Sequence, residues 1–130
     1  MPVTVKEMME AANAVVERID AAKAKAMTEQ GALLSDIRDA NELEHTGRAV
    51  GAHHIPRGML EFRADPDLPS YDAELRKDRV IILYCASGGR AALAGKLLKD
   101  MGYLHVYNLG GFADWVNGGG EATRPMDSGM

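Results

Sequence analysis

The chain has 130 residues, enough for one compact core and too few for two full domains. Its 46% hydrophobic and 26% charged residues exclude a disordered polyelectrolyte, a collagen-like repeat and a Cys-rich scaffold. A net charge of −4 with no run of Lys or Arg argues against a nucleic-acid partner.

No stretch approaches the roughly 18 consecutive apolar residues of a membrane span, so no membrane partner is expected. The first residues lack the basic start and apolar run of a signal peptide, which makes the expected address cytoplasmic. The one cysteine, Cys85, excludes an internal disulfide, and four scattered histidines without a second thiol predict neither a metal site nor a cofactor. Aromatic residues are only 5% of the chain, leaving much of the apolar packing to Ala and Met and favouring helix.

Residues 4 to about 28 read as one long helix. Thr4 and Glu7 have the spacing of a capping box, and Val5, Met8, Met9, Ala12, Val15, Val16, Ile19, Ala22 and Ala26 recur at three- and four-residue steps. Such a stripe must be covered, either by the parent domain or by a second copy in a homodimer. The short, Ala-interrupted pattern favours the first.

Short apolar runs then alternate with helical stretches. Strands are predicted at 32–37 and 50–55, with a polar helix at about 40–45 between them and a break at Pro56 and Gly58. A Pro-rich acidic loop leads to a short helix near 71–76. The strongest strand is 79–84, whose continuous apolar run suits the middle of a parallel sheet. A helix carrying Leu93, Ala94, Leu97, Leu98 and Met101 follows and ends at Gly102, then a strand at 105–109 and a short helix with Phe112 and Trp115. The segment from Gly118 to Met130 has no periodicity and reads as loose. The expected fold is α/β, an open, mostly parallel sheet with helices on both faces. Residues 1–30 form an N-terminal helical extension, 31–120 the domain and 121–130 a tail.

Ligands of open parallel sheets bind beyond the carboxyl ends of the strands, and Cys85 stands at that end of the strongest strand. After it, Ala86-Ser87-Gly88-Gly89-Arg90 leads into a helix. Two glycines let amides turn inward, and the helix start adds its positive end, so the loop suits an anion: a substrate oxygen, a bound sulfur or the Cys85 thiolate itself. A thiolate so held is a nucleophile near neutral pH. Read alone, Cys85 would be an inert buried hydrophobe. Two glycines, a hydroxyl and an arginine in the next five positions reverse that reading, because an inert residue needs none of them. His53 and His54, adjacent on a strand, point to opposite faces and cannot share one ion.

Four segments in order, Leu34-Ser35-Asp36-Ile37-Arg38, Gly51-Ala52-His53-His54-Ile55-Pro56, Val80 through Arg90 and Leu109-Gly110-Gly111-Phe112-Ala113-Asp114-Trp115, closely resemble the rhodanese-homology domain over about residues 31–120. The resemblance implies sulfur transfer. Cys85 would take the outer sulfur of a donor such as thiosulfate, hold it as a persulfide among the amides of Ala86 to Arg90, and pass it to cyanide or a thiol. It implies further that Arg90 steers an anionic donor, that Asp36 and Arg38 are a structural pair near the loop, and that Arg57 faces the pocket. Two departures stand out: Gly47-Arg48-Ala49-Val50-Gly51-Ala52 replaces a Gly-His-Ile-Pro-Gly-Ala segment, and Ala91 replaces a frequent serine. With a single cysteine, the acceptor, a small thiol, cyanide or a protein, comes from outside.

Two other functions compete. Related folds use a cysteine loop for phosphatase or arsenate chemistry, but typically with five residues between Cys and Arg, where this chain has four. A smaller ring suits a single sulfur atom. A non-catalytic rhodanese-like interaction module has no physical need for an intact Cys85 loop.

Overall fold

Thr4 opens the first helix as the sequence predicts. Its hydroxyl accepts from the Glu7 amide at 3.1 Å and the Glu7 carboxylate accepts from the Thr4 amide at 3.2 Å, starting α1 (Val5–Val15). The computed structural model describes residues 2–123. The single long helix to residue 28 does not form. The chain extends through a two-residue strand, β1 (Glu17–Arg18), and restarts as α2 (Ala21–Glu29), where the Asp20 carboxylate accepts from the Lys23 amide at 2.8 Å.

The break has a packing cause. Val16 is buried against Gly95 on one face of the sheet, while Ile19 joins the core on the other. A helix would keep both on one stripe; an extended crossing sends them to opposite faces. The Ile19 amide donates to the Asn108 carbonyl at 3.0 Å, extending the ladder of β1 with Tyr107 and Asn108.

The remaining elements are β2 (Leu33–Asp36), α3 (Ala40–Thr46), β3 (His53–His54), a 3₁₀ turn at Arg57–Met59 running into α4 (Leu60–Ala64), β4 (Val80–Cys85), α5 (Gly89–Asp100), β5 (His105–Gly111) and α6 (Phe112–Asn117). The second predicted strand thus shrinks from six residues to two. Residues 71–76 form turns instead of a helix, and a helix stands at 60–64 where Pro56 and Gly58 suggested only a break. Gly102 has φ +99°, the left-handed residue that ends α5.

The five strands are all parallel, in the order β1-β5-β4-β2-β3, so β4 is central. On one face α1 and α4 pack against α5, which covers β4 and β5; α2 and α6 cover the other. The α5 side buries Ile81, Leu83, Val106 and Leu98, and the opposite side buries Ile82, Tyr84, Leu109 and Trp115. This is the alternation a doubly covered strand requires. Of the apolar stripe read from the sequence, Ala12 and Val16 are buried where α1 meets α5, while Val5, Met8 and Val15 stay exposed. Among the described residues, no helix is long and apolar enough to cross a membrane.

Residues 118–123 are not loose. The Gly120 amide donates to the Trp115 carbonyl at 2.8 Å, the Trp115 indole to the Glu121 carbonyl at 2.7 Å, and the Thr123 amide to the Arg48 carbonyl at 2.8 Å. The rest of the tail expected to be loose, residues 124–130, lies outside the described residues.

Candidate active site

Cys85 ends the central strand, opposite Gly111 of β5, and is buried with 1% of its surface exposed. Burial alone would suit an inert thiol. What distinguishes it is the Gly88 N–H, which donates to Sγ at 3.0 Å. Gly88 has φ +104°, a left-handed conformation that favours glycine and turns its amide back over the strand end. Ala86 and Ser87 form an exposed tip, and Gly89 and Arg90 begin the twelve-residue α5, whose positive end lies beside the sulfur.

The loop is held from both sides. On the β5 side, Asn108 is buried; its amide group donates to the Gly88 carbonyl at 3.1 Å while its Oδ1 accepts from the Gly110 amide at 2.8 Å. A Cβ on Gly111 would collide with the Ala86 carbonyl oxygen, so this glycine is what lets β5 approach the loop. On the α3 side, Arg90 and Glu42 pair fork to fork, with Nη1–Oε1 at 2.8 Å and Nη2–Oε2 at 3.0 Å. The Arg90 bond is the main reason that the Glu42 carboxyl is drawn down to about 2.

Beneath the loop lies a second pair. Asp36 and Arg38 are almost wholly buried, with Arg38 Nη2 donating to Asp36 Oδ2 at 2.8 Å and Nε to Oδ1 at 3.0 Å. Arg38 also donates to Thr46 Oγ1 and to the Gly47 carbonyl, each at 2.8 Å. Its guanidinium lies 4.7 Å from the Phe112 ring centre and 5.7 Å from that of Tyr84. Tyr84, in register with Asp36 and adjacent to Cys85, accepts from the Ala49 amide at 3.0 Å. An open cleft of about 340 Å³ borders the loop at Ala86, lined also by Asn41, Glu42, His45 and Phe112.

The family model described as Rhodanese-like domain matches residues 20–118. The chain belongs to this family. Among its relatives, the thiosulfate sulfurtransferase GlpE of Pseudomonas savastanoi is 30% identical over 113 residues, covering 86% of this chain and 93% of the relative. The uncharacterized protein YqhL of Bacillus subtilis is 36% identical over 85 residues, 65% of this chain; the match spans 60% of YqhL's length. Among solved structures, a Rhodopseudomonas palustris protein described as a possible tyrosine phosphatase superposes with TM-score 0.83 at 37% identity, covering 95% of this chain and 99% of that one. The polysulfide-sulfur transferase homodimer of Wolinella succinogenes gives TM-score 0.72 at 28% identity, covering 91% and 85%.

Within this rhodanese-like fold, the residues singled out by sequence gather unequally. Asp36, Arg38 and Cys85 to Arg90 form one neighbourhood. Arg57 does not join it by any hydrogen bond among the described residues; it pairs with Glu61 at 2.9 Å and lines a groove with Met8, Ala11 and Leu97 of α1 and α5. His53 pairs with Asp72 at 2.5 Å and His54 with the Arg38 carbonyl at 2.7 Å, which divides the two histidines as expected.

Three residues of the site were missed. Asn108 carries one signal, a polar residue inside an otherwise apolar strand. Glu42 carries none, since its partner is 48 positions away. Arg18 is hidden in the presumed helix; β1 instead lays its guanidinium against the loop, where Nη1 is 3.3 Å from the place a Cβ on Gly88 would occupy.

Proposed function

We propose that this rhodanese-like domain is a sulfurtransferase. Cys85 attacks the outer sulfur of a sulfane-sulfur donor, such as thiosulfate or a persulfide, and the resulting Cys85 persulfide is passed to an external thiol or cyanide. The observation that carries the reading is the Gly88 N–H aimed at Cys85 Sγ beside the start of α5, which gives the sulfur a hydrogen-bond donor and the positive end of a helix. The naming of GlpE relatives as thiosulfate sulfurtransferases and of the Wolinella protein as a polysulfide-sulfur transferase supports it. In this reading Ala86 to Gly89 form the cradle, Arg90 holds the cradle to α3 through Glu42, and the Asp36–Arg38 pair fixes the strand end beneath. The chain's single cysteine leaves resolution of the persulfide to an outside acceptor.

The phosphatase reading finds less support. A phosphate ring would need the loop arginine, and Arg90 already gives both ends of its fork to Glu42. The deciding experiment incubates the protein with thiosulfate and with an organic hydropersulfide, then measures Cys85 by mass spectrometry and thiocyanate after cyanide. We expect one added sulfur on Cys85 and thiocyanate release, both lost in Cys85→Ser, which keeps its fold. Phosphomonoester hydrolysis with Cys85 unmodified by either donor would overturn the reading.

A further inference from the structure

Three arginines flank the Cys85 loop, and each faces a carboxylate. Arg90 meets Glu42 at 2.8 and 3.0 Å, Arg38 meets Asp36 at 2.8 Å in the interior, and Arg18, against Gly88, meets Asp114 at 3.6 Å. These contacts differ in strength. Asp36–Arg38 is sealed, Glu42–Arg90 is bidentate and half-buried, and Arg18–Asp114 is loose and exposed. Each guanidinium near the loop thus has a carboxylate partner, and of the two pairs that reach the surface only Glu42–Arg90 is bidentate.

A dianionic donor such as thiosulfate gains from unmatched positive charge, and with the arginines paired only the Gly88 amide and the start of α5 supply it. A hydropersulfide brings an outer sulfur with at most one negative charge of its own and does not need that compensation. We propose that Glu42, by neutralising Arg90, makes this site selective for persulfide donors over thiosulfate. The proposal rests on the sulfurtransferase reading and specifies its substrate class.

The step it describes is balanced. The Cys85 thiolate forms an S–S bond to the terminal sulfur of R–S–SH, and the R–S to S bond breaks with its electron pair on the departing thiolate. That thiolate takes the proton from the terminal sulfur, giving the Cys85 persulfide anion and R–SH. With thiosulfate the same attack would expel sulfite, so donor and leaving group would both be dianions beside the neutralised arginine. The selectivity therefore acts before and after the bond exchange, while the exchange itself is unchanged.

The test compares thiosulfate with 2-hydroxyethyl hydropersulfide, whose organic part is uncharged, by the rate of sulfur loading on Cys85. The native protein should favour the hydropersulfide, and Glu42→Gln, by freeing Arg90, should lower the KM for thiosulfate about tenfold, the size of one charge-assisted hydrogen bond. Because loosening the cradle acts on both donors, the readout is the ratio of the thiosulfate KM to the hydropersulfide KM, which should fall about tenfold and recover in added salt. Asp114→Asn retains an oxygen for the Gly111 amide and frees Arg18; it should act in the same direction, and it supplies the answer should Glu42→Gln not fold.

Equal use of both donors by the native protein would overturn the selectivity while leaving sulfur transfer intact. So would an unchanged KM ratio in the folded variant, as when both donors change equally. Failure of the native protein to load sulfur from either donor would instead bring down the sulfurtransferase reading, and this proposal with it.

Discussion

Glu42 and Arg90 stand 48 positions apart in the chain and meet fork to fork across the cysteine loop, both carboxylate oxygens engaged. Because Arg90 pulls the Glu42 carboxyl from 4.5 to about 2, the folded chain takes up that proton less readily than the unfolded one. The pair's stabilisation is thus complete above about pH 4.5 and is lost as the pH falls from there through about 2. Glu42→Gln should lower thermal stability at neutral pH and flatten its decline over that acidic window, measured as Tm against pH. An acid profile identical to the native one would show that the pair stores no such stability.

Asn108 ties the loop to β5 with one donated and one accepted bond, so its two functions can be separated. Asn108→Ala leaves the Gly88 carbonyl and the Gly110 amide without partners and should cost about 1–3 kcal/mol in denaturant unfolding. Asn108→Asp still accepts from Gly110 but cannot donate to Gly88. If Asn108 positions the Gly88 amide over sulfur, both variants should lower kcat for sulfur loading while leaving KM for the acceptor unchanged. A parallel rise in acceptor KM would point to a general disturbance instead.

Arg38 gives the largest stability effect we expect. Arg38→Met strands the buried Asp36 carboxylate and abandons Thr46 and the Gly47 carbonyl, a loss of about 3–5 kcal/mol. Adding Asp36→Leu should recover part of it, because an uncompensated charge is then no longer buried. Urea unfolding of the single and double variants measures this, and a cost below about 1 kcal/mol for the single change would contradict it.

The parts that could be read from sequence were those whose cause is local. The apolar run of β4, the glycine loop, the stripe of α5 and its Gly102 stop all follow from neighbours within a few positions. β1 was illegible because Val15, Val16 and Ile19 keep a helical rhythm across the break, and what extends them is a partner strand about ninety positions away. α4 was missed because Pro56 and Gly58 read as a stop, whereas Pro56 leads into the 3₁₀ turn before it. At the site the nucleophile and its loop were contiguous and visible. The groups that set their charge and position, Glu42, Asn108 and Arg18, were not, since nothing local announces which distant side chain will face them.

Glu17 and Arg18 also close off a border. Their ladder to Tyr107 and Asn108, with the Ile19 amide on the Asn108 carbonyl, occupies the outer rim of β5, the rim a foreign strand would otherwise zip onto. The same two residues that carry the chain from one face of the sheet to the other thus leave less of that rim open, on the strand that also anchors the sulfur loop.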